Sequence, residues 1–151
     1  MQLPYALITL SDDHRDFIFQ CLSIDYNTMY AQFGIIYTSP EVNAEFSCDI
    51  TLGNVYDFYV SLDMAYDLLD GTETKAVLEN YGSLDRTEFS VEFDRKGHCM
   101  LKGRFLSREN HYQNGINFQM KLDQSYLIDS MKAMSRFFKE LSEIQGNSVF
   151  Y

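Results

Sequence analysis

Apolar and polar residues change their spacing several times along this chain, and each change marks an element. In residues 42–51 they alternate strictly. Val42, Ala44, Phe46, Cys48 and Ile50 fall on one side, and Asn43, Glu45, Ser47, Asp49 and Thr51 on the other. That period of two predicts a strand with one buried and one wet face. Upstream, 15–24 and 28–37 are rich in β-branched and aromatic residues and are separated by Asp25-Tyr26-Asn27. They predict two strands joined by a hairpin turn. From Val55 the apolar positions become Val55, Phe58, Tyr59, Leu62, Tyr66 and Leu69, the stripe of a helix. Asn54 is its expected N-cap and Gly71 the residue that stops it. Asp63, Asp67 and Asp70 share the opposite side, with Asp70 near the carbonyl end, where negative charge opposes the helix dipole.

Alternation then returns three times. Phe89, Val91 and Phe93 point inward in 86–94, with Glu88, Ser90, Glu92 and Asp94 outward. The turn Asp94-Arg95-Lys96-Gly97 leads into 98–106, where Cys99, Leu101, Gly103 and Phe105 alternate with His98, Met100, Lys102 and Arg104. A polar loop from Arg108 to Asn114 precedes 115–122, with Ile116, Phe118, Met120 and Leu122 inward. Short turns between such runs predict an antiparallel meander, in which Glu88 and Glu92 face Lys102 and Arg104 across neighbouring strands. Asp123 caps a second helix, striped by Leu127, Met131, Met134, Phe138 and Leu141 and closed by Gly146.

Strands with one apolar face and helices with one apolar stripe are all satisfied by an α+β fold: a mostly antiparallel sheet with two main helices packed on one face. The chain of 151 residues reads as a single domain, with no internal repeat, linker or low-complexity tract. No run approaches the ~18 apolar residues of a membrane span. The start, Met-Gln-Leu-Pro-Tyr, has no basic segment before an apolar core, so a cytoplasmic location is expected. Three scattered cysteines, Cys21, Cys48 and Cys99, read as buried thiols.

Charge sharpens the functional reading. The net charge of −10 argues against direct nucleic-acid binding, which needs a basic surface. Residues 1–40 carry −3, residues 41–94 carry −11 and residues 95–151 carry +4. The acidic middle third would steer a basic partner by long-range attraction, and it would also serve solubility. Chemistry is sparse. His14, His98 and His111 lack metal-ligand spacing, and no nucleophile elbow, P-loop or dinucleotide fingerprint occurs. Asp63 and Asp67, one turn apart, are the nearest approach to an acid/base pair, but two exposed aspartates on a helix are ordinarily a solvated face. The expectation is no catalytic residue, no cofactor and no metal.

One stretch carries more than generic pattern. It contains Leu52-Gly53-Asn54-Val55-Tyr56-Asp57-Phe58-Tyr59, Ala65-Tyr66-Asp67-Leu68-Leu69-Asp70-Gly71, Leu78-Glu79-Asn80-Tyr81, Gly97-His98-Cys99-Met100-Leu101-Lys102-Gly103-Arg104-Phe105, Gly115-Ile116-Asn117-Phe118 and Asp123-Gln124-Ser125-Tyr126-Leu127. From Glu45 to Leu141 this resembles the WapI family of bacterial immunity proteins, cytoplasmic antidotes to polymorphic toxins. The resemblance implies an inhibitor that binds a cognate toxin domain, in many cases a nuclease with a basic surface. It supplies no inhibitory residues to carry over, so the interface residues are chosen on physical grounds. They are Asp63, Asp67 and Asp70 on the first helix, favoured slightly, or Glu45, Asp49, Glu88, Glu92 and Asp94 on the wet sheet face. The alternative is a regulatory module that binds a protein outside toxin systems or a small molecule.

Overall fold

A strand must satisfy its backbone polar groups, and an antiparallel neighbour one turn away does so at the least loop cost. The computed structural model, which describes residues 1–67, 74–82, 85–109 and 112–145, applies this rule twice over. Strands β1 (Tyr5–Ser11), β2 (Asp16–Asp25), β3 (Tyr30–Thr38) and β4 (Asn43–Thr51) form one antiparallel meander. Helix α1 (Leu52–Asp67) follows. Strands β5 (Thr74–Tyr81), β6 (Asp85–Phe93), β7 (Cys99–Glu109) and β8 (Tyr112–Leu122) form a second meander, followed by α2 (Leu127–Gln145). The α+β class, the antiparallel pairing and the two main helices are as expected. The strands are shared between two sheets, and the order of four strands and a helix occurs twice, a repeat that the residue pattern does not display.

Local chemistry sets the ends of the elements. Thr51, not Asn54, caps α1: its Oγ1 accepts the Asn54 backbone N–H at 3.2 Å. The cap falls three residues earlier than expected because β4 runs straight into the helix, whose buried stripe begins at Leu52 and continues through Val55, Phe58, Leu62 and Ala65. Asn54 instead reaches across to β5, donating from Nδ2 to the Glu79 carbonyl. Leu69, Asp70 and Gly71, and the expected stop at Gly146, lie outside the described residues. Asp123 does cap its helix, through a short 3₁₀ turn over Gln124–Tyr126, and accepts the Ser125 N–H at 2.9 Å. Within the stretch expected as a polar loop, Arg108, Glu109 and Tyr112 to Asn114 are strand, since pairing continues to Glu109 opposite Tyr112. Backbone partners carry the ladder past the point where apolar alternation stops.

The inner faces of the two sheets meet in an aromatic core. Phe17 on β2 lies 5.8 Å from Phe89, and Phe19 lies 5.1 Å from the same ring. Tyr37 on β3 stacks on Phe118 at 4.1 Å, and Phe46 on β4 stacks on Phe105 at 5.8 Å. Each such pair adds about 0.5–1.5 kcal/mol beyond the area it buries. Cys21, Cys48 and Cys99 are buried in this core, and burial pushes their thiols up to about 12, 11 and 12.

Each helix packs on the first strand of a sheet, α1 on β5 and α2 on β1. Tyr5 donates its hydroxyl to the Ala133 carbonyl, and the Thr9 N–H donates to Ser130 Oγ on α2. Thr74 Oγ1 donates to the Ala65 carbonyl on α1. The helices themselves touch through Tyr56, Tyr59 and Phe138, with Tyr56 5.1 Å from Phe138. No described helix is long and apolar enough to cross a membrane.

Candidate partner-binding faces

The eight carboxylates singled out from the sequence do not form one surface. Asp63 and Asp67 are exposed, one turn apart on α1, with the 60% exposed Met64 beside them. Their helix carries no base. Asp70 lies outside the described residues. Glu45 and Asp49 are exposed on the outer face of β4, opposite Ile36 and Gln32 of β3. Glu88 and Glu92 belong to the other sheet. The single wet face expected to carry all five remaining acids is therefore divided, because β4 and β6 sit in sheets that meet by their inner faces.

On the second sheet acids and bases are interspersed. Glu88 lies directly across from Arg104, and Tyr81 donates its hydroxyl to Glu88 at 3.5 Å. Lys102 Nζ is 2.8 Å from Glu92 Oε2, and Lys75 is the cross-strand partner of Glu92 on β5. Both carboxylates are half-buried; Glu92 lies between two bases, whereas Glu88 has Arg104 on one side and Glu79 on the other. Of the cross-strand pairs read from the sequence, Glu92 with Lys102 is an ion pair, while Glu88 faces Arg104 in register, so neither acid stands in a patch free of bases. The outer face of this sheet also presents Arg86, Arg108 and Lys121. Two adjoining shallow cavities of about 570 and 710 Å3 lie along it and share Lys75, Glu92 and Lys102.

Asp94 is spent within its own turn. Its carboxylate accepts the backbone N–H groups of Lys96 at 2.8 Å and His98 at 2.9 Å, and meets His98 Nδ1 at 3.0 Å. The His98 N–H foremost holds the carboxyl below its ordinary range. Gly97, at φ 79°, supplies the left-handed residue this turn requires. His98 and His14 are exposed, and His111 lies outside the described residues.

The sheet division brings out an asymmetry that the running charge count blurred. Residues 1–67, all described, form the first four-strand-and-helix unit, and their one base is Arg15. That base is engaged: it pairs with Asp12 at 3.0 Å and donates from Nη1 to the Gln119 carbonyl on β8. The other nine carboxylates of the unit are exposed: Asp13, Asp16, Asp25, Glu41, Glu45, Asp49, Asp57, Asp63 and Asp67. The described part of the second unit, by contrast, mixes acids with bases throughout. Glu41 and Asp57 were not picked from the sequence, and their signal was the absence of bases around them rather than any spacing of their own. Among the described residues no group of three or more His, Cys, Asp or Glu is placed to hold a metal ion.

Two meanders, each followed by a helix and joined through one aromatic core, define the architecture. No family model matches the chain. No curated protein matches it either. Among solved structures, the crystal structures of MRP1/MRP2 from Trypanosoma brucei contain a chain with this fold, at 13% sequence identity and a TM-score of 0.51. The likeness covers 96% of this chain and 88% of that one. At this identity the likeness concerns the fold alone.

Proposed function

We propose that this chain is a non-catalytic inhibitor of the immunity type, which binds a basic protein, a cognate toxin domain, through the acidic surface of its first unit. The observation that carries the reading is the set of nine exposed carboxylates on residues 1–67, whose one base is already held by Asp12 and Gln119. Such a field accelerates encounter with a basic surface and weakens as salt screens it. Met64 beside Asp63 and Asp67 adds an apolar contact of the adaptable kind that interfaces favour. The resemblance to WapI immunity proteins points the same way, and a cytoplasmic site of action goes with it. The second unit, with its acids and bases interspersed, acts as scaffold. The shallow cavities beside Lys75 and Lys102 are what favour the alternative, a regulatory module with a small anionic ligand.

The test is binding to basic toxin domains, starting with the product of the adjacent gene, at low and high salt, for the natural chain and two charge reversals. Asp63→Lys with Asp67→Lys addresses the helix, and Glu45→Lys with Asp49→Lys addresses the first sheet. Tight, salt-sensitive binding lost in one of the two supports the reading and locates the contact. Tight binding indifferent to salt and to both reversals would discard the acidic surface. Absence of binding would discard the immunity role.

A further inference from the structure

A sheet has two edges, and four edge strands in one small protein invite pairing with other chains unless something blocks them. Three of the four are blocked here. The edge of β1 is covered by α2, which takes the Thr9 N–H on Ser130. The edge of β5 is covered by α1, whose Asn54 takes the Glu79 carbonyl. β4 receives an amide from Asn80 at the Asp49 carbonyl, and it carries Glu45 and Asp49 on one face. Two copies of β4 placed side by side would set carboxylates against carboxylates. Among the described residues, β8 has none of these guards along most of its length. It is 11 residues long, lacks proline, pairs with β7 without a register shift and has no charged residue from Tyr112 to Met120. Arg15 caps it at one point, the Gln119 carbonyl.

That cap also fixes the direction of the free groups. A carbonyl bonded from the far side points away from β7, and backbone direction repeats every second residue. The N–H and C=O groups of Gln113, Gly115 and Asn117 therefore point off the same edge, and among the described residues nothing like Arg15 lies upon them. Gly115 sits at the middle of this free stretch, and a Cβ there would lie 2.3 Å from Leu106 Cδ2. Leu106 thus leans from β7 over the glycine to the rim of the sheet, where it is half-buried.

We propose that β8 is a self-association edge, where a second copy pairs antiparallel about Gly115. Gln113 of each copy then meets Asn117 of the other, and the two-fold closes the contact, as an isologous interface requires. Two four-stranded sheets become one of eight. The two Leu106 side chains meet over the paired glycines and bury each other. No charge is brought against its like along the free stretch, which matters for a chain of net charge −10. The same contact leaves the acidic first unit outside the joint.

The test is the mass in solution, by sedimentation equilibrium over about 1–300 µM, for the natural chain and three variants, with circular dichroism to confirm folding. Asn117→Lys places a cation on the joint from an exposed position. Asn117→Pro removes an outward N–H that takes no part in the β7–β8 ladder. Glu45→Lys with Asp49→Lys removes the guard on β4 and serves as the control. A concentration-dependent dimer is expected, at least tenfold weaker in both Asn117 variants and undiminished in the control. Amide exchange at Gly115 and Asn117 slows as the dimer forms. A monomer throughout, with those two amides unprotected at the highest concentration, overturns the proposal. So does a dimer that both Asn117 variants leave intact.

Discussion

Gly103 is where the packing of the two sheets can be tested with one methyl group. It lies on the inner face of β7 directly across from Phe118, and a Cβ built there would stand 2.4 Å from Phe118 Cε1 and 2.5 Å from Cζ. Phe105 Cε2 would be 3.0 Å away. The Phe118 ring cannot simply swing aside, because it is stacked on Tyr37 at 4.1 Å and flanked by Phe17 at 5.5 Å and Phe105 at 5.9 Å. Overpacking of this kind costs about 1–3 kcal/mol. Alanine recovers about 0.5–1 kcal/mol of the chain entropy that glycine loses in a strand. The net expectation for Gly103→Ala is a loss of up to about 2.5 kcal/mol, which for 151 residues lowers the melting temperature by up to about 10 °C. Urea titration followed by circular dichroism reads it, with an unchanged m-value. In a Phe118→Leu background the shorter side chain no longer covers the glycine, and the same methyl should then be neutral or mildly stabilising. The reasoning fails if Gly103→Ala raises stability in the natural chain, or costs the same in both backgrounds.

Three further outcomes are expected. Thr51→Ala should cost about 1 kcal/mol in a urea titration through loss of the α1 cap, and a neutral result would return the cap to Asn54. Asp94 is held below its ordinary range in the fold, so its contribution to stability is complete above the unfolded carboxyl pKa of about 3.9 and is lost as pH falls through the folded value. Asp94→Asn should therefore open a gap in urea midpoint at neutral pH that closes under acid, and a gap that persists at low pH would contradict the turn's role. Cys21, Cys48 and Cys99, buried and pushed up to about 12, 11 and 12, should resist a thiol reagent at pH 8 until urea unfolds the chain. Rapid labelling of the native protein would contradict their burial.

Much of the second unit could be read from the sequence, because β6, β7 and β8 alternate cleanly and the hairpin register then places Glu88 against Arg104 and Glu92 near Lys102. The first strand of each sheet could not, and that is why the repeated order stayed hidden. In β1 the register shifts between Ala6 and Ile8, so Leu7 and Ile8 are both buried and the period of two is broken. In β5 the residues Lys75-Ala76-Val77-Leu78-Glu79-Asn80 include several that favour helices over strands, and Val77 stays exposed on the wet face. Tertiary packing under α1 makes it a strand. The candidate binding residues followed the same division. Their exposure on α1 and β4 was evident from local spacing. Their separation onto different sheets was not, since that depends on topology, which no run of ten residues encodes.

The way each helix leans on the strand that comes next has a consequence for severed chains. A cut between Asp67 and Thr74 would leave two pieces with nearly the same parts, each a meander and a helix. In the piece ending at Asp67, β1 would lose α2 from its edge, and Val55, Phe58 and Leu62 would face water in place of β5. The other piece would lose α1 from β5 and expose Met134 and Phe137, which now lie buried where α2 meets β1. Neither half carries its own lid. Expressed separately the two should stay unfolded or aggregate, and mixed they should rebuild the whole, so the molecule behaves as a dimer of halves that happen to share one chain.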